Sequence, residues 1–201
     1  MVKYVTILET NYPIATTTQL DLSNLNLTQI PSNVFYLINL KCLILNNNFI
    51  TDINPKIENL VNLTELYMRN NNLTTICPQI GNLYNLNVLN LESNFITEMC
   101  PEIMKLLYLT ELNLGFNQLT EIPHQIDHLS SLKYFRLHDN HLTTICLEIA
   151  NLKKLVFLRL DNNHIIDDID KIRNSVRTAH IYIASQTPPP TKIIEFPMVI
   201  I

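Results

Sequence analysis

The chain has 201 residues, 47% of them hydrophobic, which suits one domain or one elongated repeat array with a sizeable buried core. Its 14 basic and 18 acidic residues give a formal net charge of −4, which argues against nucleic acid as a partner, since such proteins carry a basic stripe. No stretch approaches the roughly 18 consecutive apolar residues of a membrane span, and the N-terminal residues mix Thr, Glu and Asn among the apolar ones, unlike a secretory leader.

In chain order, residues 1–16 precede any repeated phrase and are expected to cap the N-terminal end of a repeat array. From Thr17 one phrase recurs. Leu40, Leu63, Leu86, Leu109, Leu132 and Leu155 stand 23 residues apart, and each opens a copy. The copy at 63–85 reads LTELYMRNNNLTTICPQIGNLYN, and that at 109–131 reads LTELNLGFNQLTEIPHQIDHLSS. The first copy, near 17, is imperfect, and the seventh, from 155, drifts into DDIDKIRNSVRT. Atypical end copies are what a stack of repeats requires. The fragment AHIYI at 179–183 predicts a terminal strand with Ile181 and Ile183 inward, so the array spans 17–183. Residues 184–201 form a tail. Pro188, Pro189 and Pro190 stop regular structure there, and the apolar run TKIIEFPMVII is expected to fold back over the core. A disordered tail and a partner-binding peptide are the other readings.

Each copy follows L-x-x-L-x-L-x-x-N-x-L-T-x-I-(P)-x-x-I-x-x-L. The L-x-L alternation (Leu43 and Leu45, Leu66 and Met68, Leu89 and Leu91) has period 2 and predicts a short strand buried on one face. The I-x-x-L limb (Ile57 and Leu60, Ile80 and Leu83, Ile103 and Leu106) predicts a helical, 3₁₀ or extended return. One coil cannot cover its own apolar interior, but stacked coils share a continuous core. The class is therefore an α/β solenoid with a parallel sheet. Asn48, Asn71, Asn94, Asn117, Asn140 and Asn163 share one coil position. An amide both donates and accepts, so these side chains are expected to form a structural ladder bridging neighbouring turns.

The residues flanking each L-x-L point away from the core. Tyr67 and Arg69 stand on that face in one copy, Tyr134, Arg136 and His138 in a later one, then Phe157, Arg159 and Asp161, and finally Tyr182. Aromatic residues and Arg carry much of the energy of protein interfaces. These residues either pack on one another or meet a protein partner, and the partner-binding reading is the one adopted. Eight strands at about 4.8 Å give a face on the order of 500 Å², below the about 800 Å² per partner of a standard interface. Either flanking loops contribute or binding is weak, and Phe49, Phe95 and Phe116 on the ascending edge either extend the surface or pack locally.

Enzymatic chemistry has little to stand on. His138, His141 and His164 lie near Asp139 and Asp161, but edge positions impose no tetrahedron, so no metal or other cofactor is expected. Cys77, Cys100 and Cys146 share a position that Pro123 interrupts, which reads as semi-buried packing by reduced thiols, and Cys42 is expected to be exposed without a base partner. Two glycines supply no phosphate-binding loop.

The repeated phrase resembles the leucine-rich repeat family. Its T-x-I-P-x-x-I segment is similar to the intracellular Ras-group-related and Ras-scaffold subclass. The resemblance implies a curved right-handed horseshoe segment with the parallel sheet on its concave face, and a non-enzymatic scaffold or adaptor that binds a protein, with a small GTPase or its effector as one partner class. The alternative is a regulatory or targeting subunit that recruits an enzyme, such as a phosphatase or ubiquitin ligase. The expected location is the cytoplasm. Abundant Asn and Ile, whose codons are AT-rich like those of Lys and Tyr, point to an AT-rich genome, that of a microbe or a giant DNA virus, with the host cytoplasm as the location in the viral case.

Overall fold

The computed structural model describes residues 3–166 and the backbone of 180–182. Ile183 and the tail lie outside the described residues, as does the side chain of Tyr182. Strands β1 (Tyr4–Ile7) and β2 (Thr10–Pro13) form an antiparallel hairpin. Eight further strands, β3 (Gln19–Asp21), β4 (Cys42–Ile44), β5 (Glu65–Tyr67), β6 (Val88–Asn90), β7 (Glu111–Asn113), β8 (Tyr134–Arg136), β9 (Phe157–Arg159) and β10 (His180–Tyr182), stack in chain order as one parallel sheet. Their register is a constant 23 residues, as in Leu43↔Leu66 and Leu66↔Leu89. A slip of one residue would turn every inward Leu to water.

Of the forms left open for the return limb, all six described limbs are 3₁₀: Ser32–Tyr36, Pro55–Asn59, Pro78–Asn82, Pro101–Lys105, His124–His128 and Leu147–Asn151. No α-helix occurs among the described residues. The sequence favours a helical start locally. Proline opens three of the limbs, where its fixed φ suits a helical start and its missing N–H costs nothing. At Pro55 the preceding Asn54 side chain also accepts from Lys56 N at 2.9 Å.

The core runs unbroken along the stack. Strand centres Leu20, Leu43, Leu66, Leu89, Leu112, Phe135 and Leu158 are buried, as are Ile57, Ile80, Ile103, Ile126 and Ile149 on the return limbs. Each such side chain contributes about 1.5–3 kcal/mol on burial. The hairpin sits over the first coil: Ile7 joins the core, and Asn33 Nδ2 donates to Thr6 O at 2.8 Å.

Two amide ladders lock the coils together. In the first, Asn94 Nδ2 donates to Leu91 O in its own coil and to Met68 O in the preceding one, both at 3.0 Å, and Asn94 Oδ1 accepts from Leu73 N at 3.0 Å. Asn48, Asn71, Asn117, Asn140 and Asn163 repeat this pattern. The first coil has Leu25 at this position, and its N–H donates to Asn48 Oδ1. The second ladder lies in the turns that lead into the strands. Asn39 Nδ2 donates to Ala15 O, Asn62 to Ile38 O and Asn85 to Val61 O, at 2.8–3.1 Å.

The residue before each ladder asparagine is left-handed: Asn47, Asn70, Ser93, Phe116, Asp139 and Asn162 have φ between 52° and 60°. Asn and Asp tolerate that region. Phe116 does not belong to the tolerant types, and it is half exposed.

Candidate functional site

The sheet face opposite the core is set by the strand register, which places Tyr134 beside Phe157 and Arg136 beside Arg159. On this face Tyr134, Arg136 and Phe157 come together. The Arg136 guanidinium lies 5.5 Å from the Phe157 ring centre and 6.0 Å from that of Tyr134. Its Nη1 donates to Glu111 Oε1 on β7 at 2.6 Å. Cation, rings and carboxylate thus form one cluster, with Tyr134 its most exposed member. Glu111 was not singled out from the sequence, although it stands one repeat before Tyr134 in the same column.

Arg159 is held beside this cluster by Asp161, with Nε to Oδ1 at 2.8 Å and Nη2 to Oδ2 at 3.1 Å. That two-point hydrogen bond pushes the Arg159 pKa further up. A second group lies three strands away. Tyr67 donates to Glu65 Oε2 at 3.0 Å, and burial together with that carboxylate pushes its pKa up to about 12. Arg69 Nη2 is 3.7 Å from Glu92 Oε1, and Glu92 also accepts from Asn113 Nδ2. All three arginines named on this face are therefore paired with carboxylates. The backbone of Tyr182 pairs with Arg159, which puts residue 182 on the neighbouring strand.

One expected surface residue is not on the surface. His138 is only 2% exposed. Gly115 stands one repeat earlier in the same column and leaves a hollow, which the His138 ring fills edge-on to Phe116 at 5.1 Å. Burial, followed by the charge of Arg159, holds its pKa below the usual histidine value. Cys42, expected to be exposed, is likewise buried in the sheet.

All four cysteines are free thiols. Cys100 Sγ lies 3.9 Å from Cys77 O, and Cys146 Sγ 3.8 Å from Pro123 O, so these thiols face the carbonyl of the preceding coil. Burial raises the pKa of Cys100 and Cys146 to about 11. His141 and His164 stack with ring centres 5.6 Å apart and planes 5° apart. Parallel rings do not aim their nitrogens at a common point, and the described residues hold no group of three or more metal-binding side chains. On the ascending edge Phe49, Phe95 and Phe116 wall a groove of about 540 Å³ floored by Asn70, Asn72 and Ser93.

The sequence matches the leucine rich repeat family over residues 61–119, 84–142 and 108–165, with a two-copy match over 38–82. No curated protein matches the chain. Among solved structures it is similar to a leucine-rich repeat protein of Leptospira interrogans, at 32% identity and TM-score 0.80 over 85% of this chain and 44% of that one. It is similar to an internalin of Listeria monocytogenes at 29% identity and TM-score 0.75, over 87% of this chain and 50% of that one. A third is the Arabidopsis receptor kinase HAESA, solved in complex with a peptide hormone and a co-receptor, at 30% identity and TM-score 0.65 over 73% and 26% of the two chains. The chain thus spans half or less of the length of each. With the 23-residue register, the asparagine ladder and these matches together, the chain belongs to the leucine-rich repeat family.

Proposed function

We propose that the chain is a protein-binding scaffold or adaptor that meets its partner on the sheet face around Tyr134, Arg136 and Phe157. The observation that carries this reading is the Glu111–Arg136 pair set between two rings. The pairing pre-orders an Arg and two aromatics, so their side-chain entropy is spent before any partner arrives. Phe116 supports an extension onto the ascending edge. It places an exposed ring at a left-handed position where five of the six aligned residues are Asn, Asp or Ser, and strain of this kind collects at functional sites. The structure of HAESA with a peptide hormone supports a polypeptide as the ligand class.

The cytoplasm is the compartment to test first, and the T-x-I-P-x-x-I phrase makes a small GTPase or its effector the first partner class to try. Affinity capture under reducing conditions, read by mass spectrometry, tests the site. Tyr134→Ala combined with Arg136→Ala is expected to lose the partner while the melting curve stays cooperative. Capture undiminished by this pair of changes overturns the placement.

A further inference from the structure

Of the four cysteines, only Cys77 and Cys100 stand at the same coil position in successive coils. That position holds Asn54 before the pair and Pro123 after it, so packing does not itself demand sulfur there. Each of the two cysteines leads into a 3₁₀ limb, and their backbones match: φ −66° and ψ 141° at Cys77, φ −63° and ψ 139° at Cys100. Each sulfur faces the backbone N–H three residues on, of Ile80 or of Ile103. The two thiols are therefore copies of one arrangement, displaced by one coil step. The coils touch on both sides of the pair. Phe95 N donates to Leu73 O at 2.8 Å, Cys100 Sγ lies 3.9 Å from Cys77 O, and a Cβ at Gly81 would lie 2.4 Å from Glu102 O. Burial raises the pKa of both thiols, and the charges of Glu102 and Cys77 raise that of Cys100 further, which puts the two sulfurs within electrostatic reach of each other. Both are only half-buried, so a small ion has access to them.

We propose that Cys77 and Cys100 form a two-coordinate site for a soft monovalent ion, Cu(I), held between their sulfurs. The coil step selects the ion over a disulfide. Equivalent atoms in adjacent in-register strands are about 4.8 Å apart. A disulfide needs Cβ atoms about 3.5–4.5 Å apart, so a pair displaced by one step lies outside its reach. An ion held by two metal–sulfur bonds of about 2.3 Å spans about 4.6 Å, which one step accommodates. Thiolates select soft ions such as Cu(I). Zn²⁺ takes four ligands, and the described residues hold no group of three or more metal-binding side chains. Glu58 and Glu102, which oppose thiolate formation here, favour a bound cation. Each thiol gives up its proton on binding, so one Cu(I) enters, two protons leave and no electron is exchanged.

Anaerobic titration of the full chain with Cu(I) against the chelator bicinchoninate tests this. The wild type is expected to retain one Cu(I), with two sulfur neighbours by X-ray absorption. Cys77→Ser and Cys100→Ser are each expected to lose the ion to the chelator. Cys146→Ser is expected to keep it, because the Cys146 thiol faces Pro123 O and has no sulfur one step away. Circular dichroism melts establish that the variants are folded. Footprinting of the wild type needs no variant: bound Cu(I) is expected to slow N-ethylmaleimide at Cys77 and Cys100 and to leave the rate at Cys146 unchanged. A wild type that yields its Cu(I) to the chelator overturns the proposal. A folded Cys77→Ser or Cys100→Ser chain that holds the ion, or protection that extends equally to Cys146, also overturns it.

Discussion

The His138 ring occupies the space that a side chain at Gly115 would need: a Cβ there would lie 2.2 Å from His138 Cε1. Gly115→Ala therefore forces the ring out of its hollow. The expected cost is about 1–3 kcal/mol of unfolding free energy, measured by urea titration. Combining it with His138→Ala should recover part of that loss. Equal stability of Gly115→Ala and wild type would show that the ring moves aside freely.

The same histidine gives the fold a pH dependence. In the unfolded chain its pKa is about 6.5. In the fold it is lower, because burial and Arg159 outweigh the opposing pull of Asp161, Asp139 and Glu92. The folded state then binds the proton less well than the unfolded state. Its contribution to stability is present above about pH 6.5 and is lost as the pH falls through the depressed folded value. His138→Gln does not titrate, so its stability should fall less than that of the wild type between neutral and mildly acidic pH. Parallel curves for the two proteins would contradict the assignment.

The first amide ladder predicts a site-specific sensitivity. Asn94→Ala leaves Leu73 N without its side-chain acceptor, and leaves Met68 O and Leu91 O with one ladder amide each, from Asn71 and Asn117, where they had two. The expected loss is about 2–4 kcal/mol. Asn72→Ala, one residue after the ladder's Asn71 in the same Asn-rich turn but outside the ladder, should change stability by less than about 0.5 kcal/mol. Comparable losses at the two positions would deny the ladder its role.

Phe116 offers a trade between stability and binding. Its left-handed backbone, φ 52°, costs an L residue about 1–2 kcal/mol, and the half-exposed ring recovers little of that by burial. Phe116→Asn is expected to raise the urea midpoint and weaken capture of the partner. A lowered midpoint would mean that the edge contact with His138 outweighs the strain.

The pKa of about 11 at Cys100 and Cys146 leaves little thiolate at neutral pH. Alkylation by iodoacetamide in the folded protein should run on the order of 100-fold slower than in urea, as measured by peptide mass spectrometry. Rapid modification of the folded chain would contradict the burial of these thiols.

Much of the architecture was readable because it recurs. A period of 23 with no insertion fixes strand register, and an Asn in every copy from the second onward fixes the ladder position. The form of the return limb was not readable, since I-x-x-L spacing fits more than one helical geometry and only tight coil stacking selects 3₁₀. Period-2 alternation also misplaced His138. It assigns a side chain to a face but cannot register a hollow made by Gly115 one coil away. Glu111 was in the right column, yet its value depends on the length and direction of Arg136.

The first ladder has a polarity. Each asparagine amide reaches toward the coil before it, and none of these six bonds reaches toward the coil after it. Shortening the protein from its downstream side leaves a backbone N–H of the last coil without its acceptor, as loss of Asn117 does to Ile96 N, whereas shortening it from the upstream side takes a carbonyl acceptor from the next amide, as loss of Met68 does to Asn94. A nascent chain emerging from the ribosome presents each carbonyl before the asparagine that donates to it, and every arriving coil in turn satisfies a backbone N–H of the one already made.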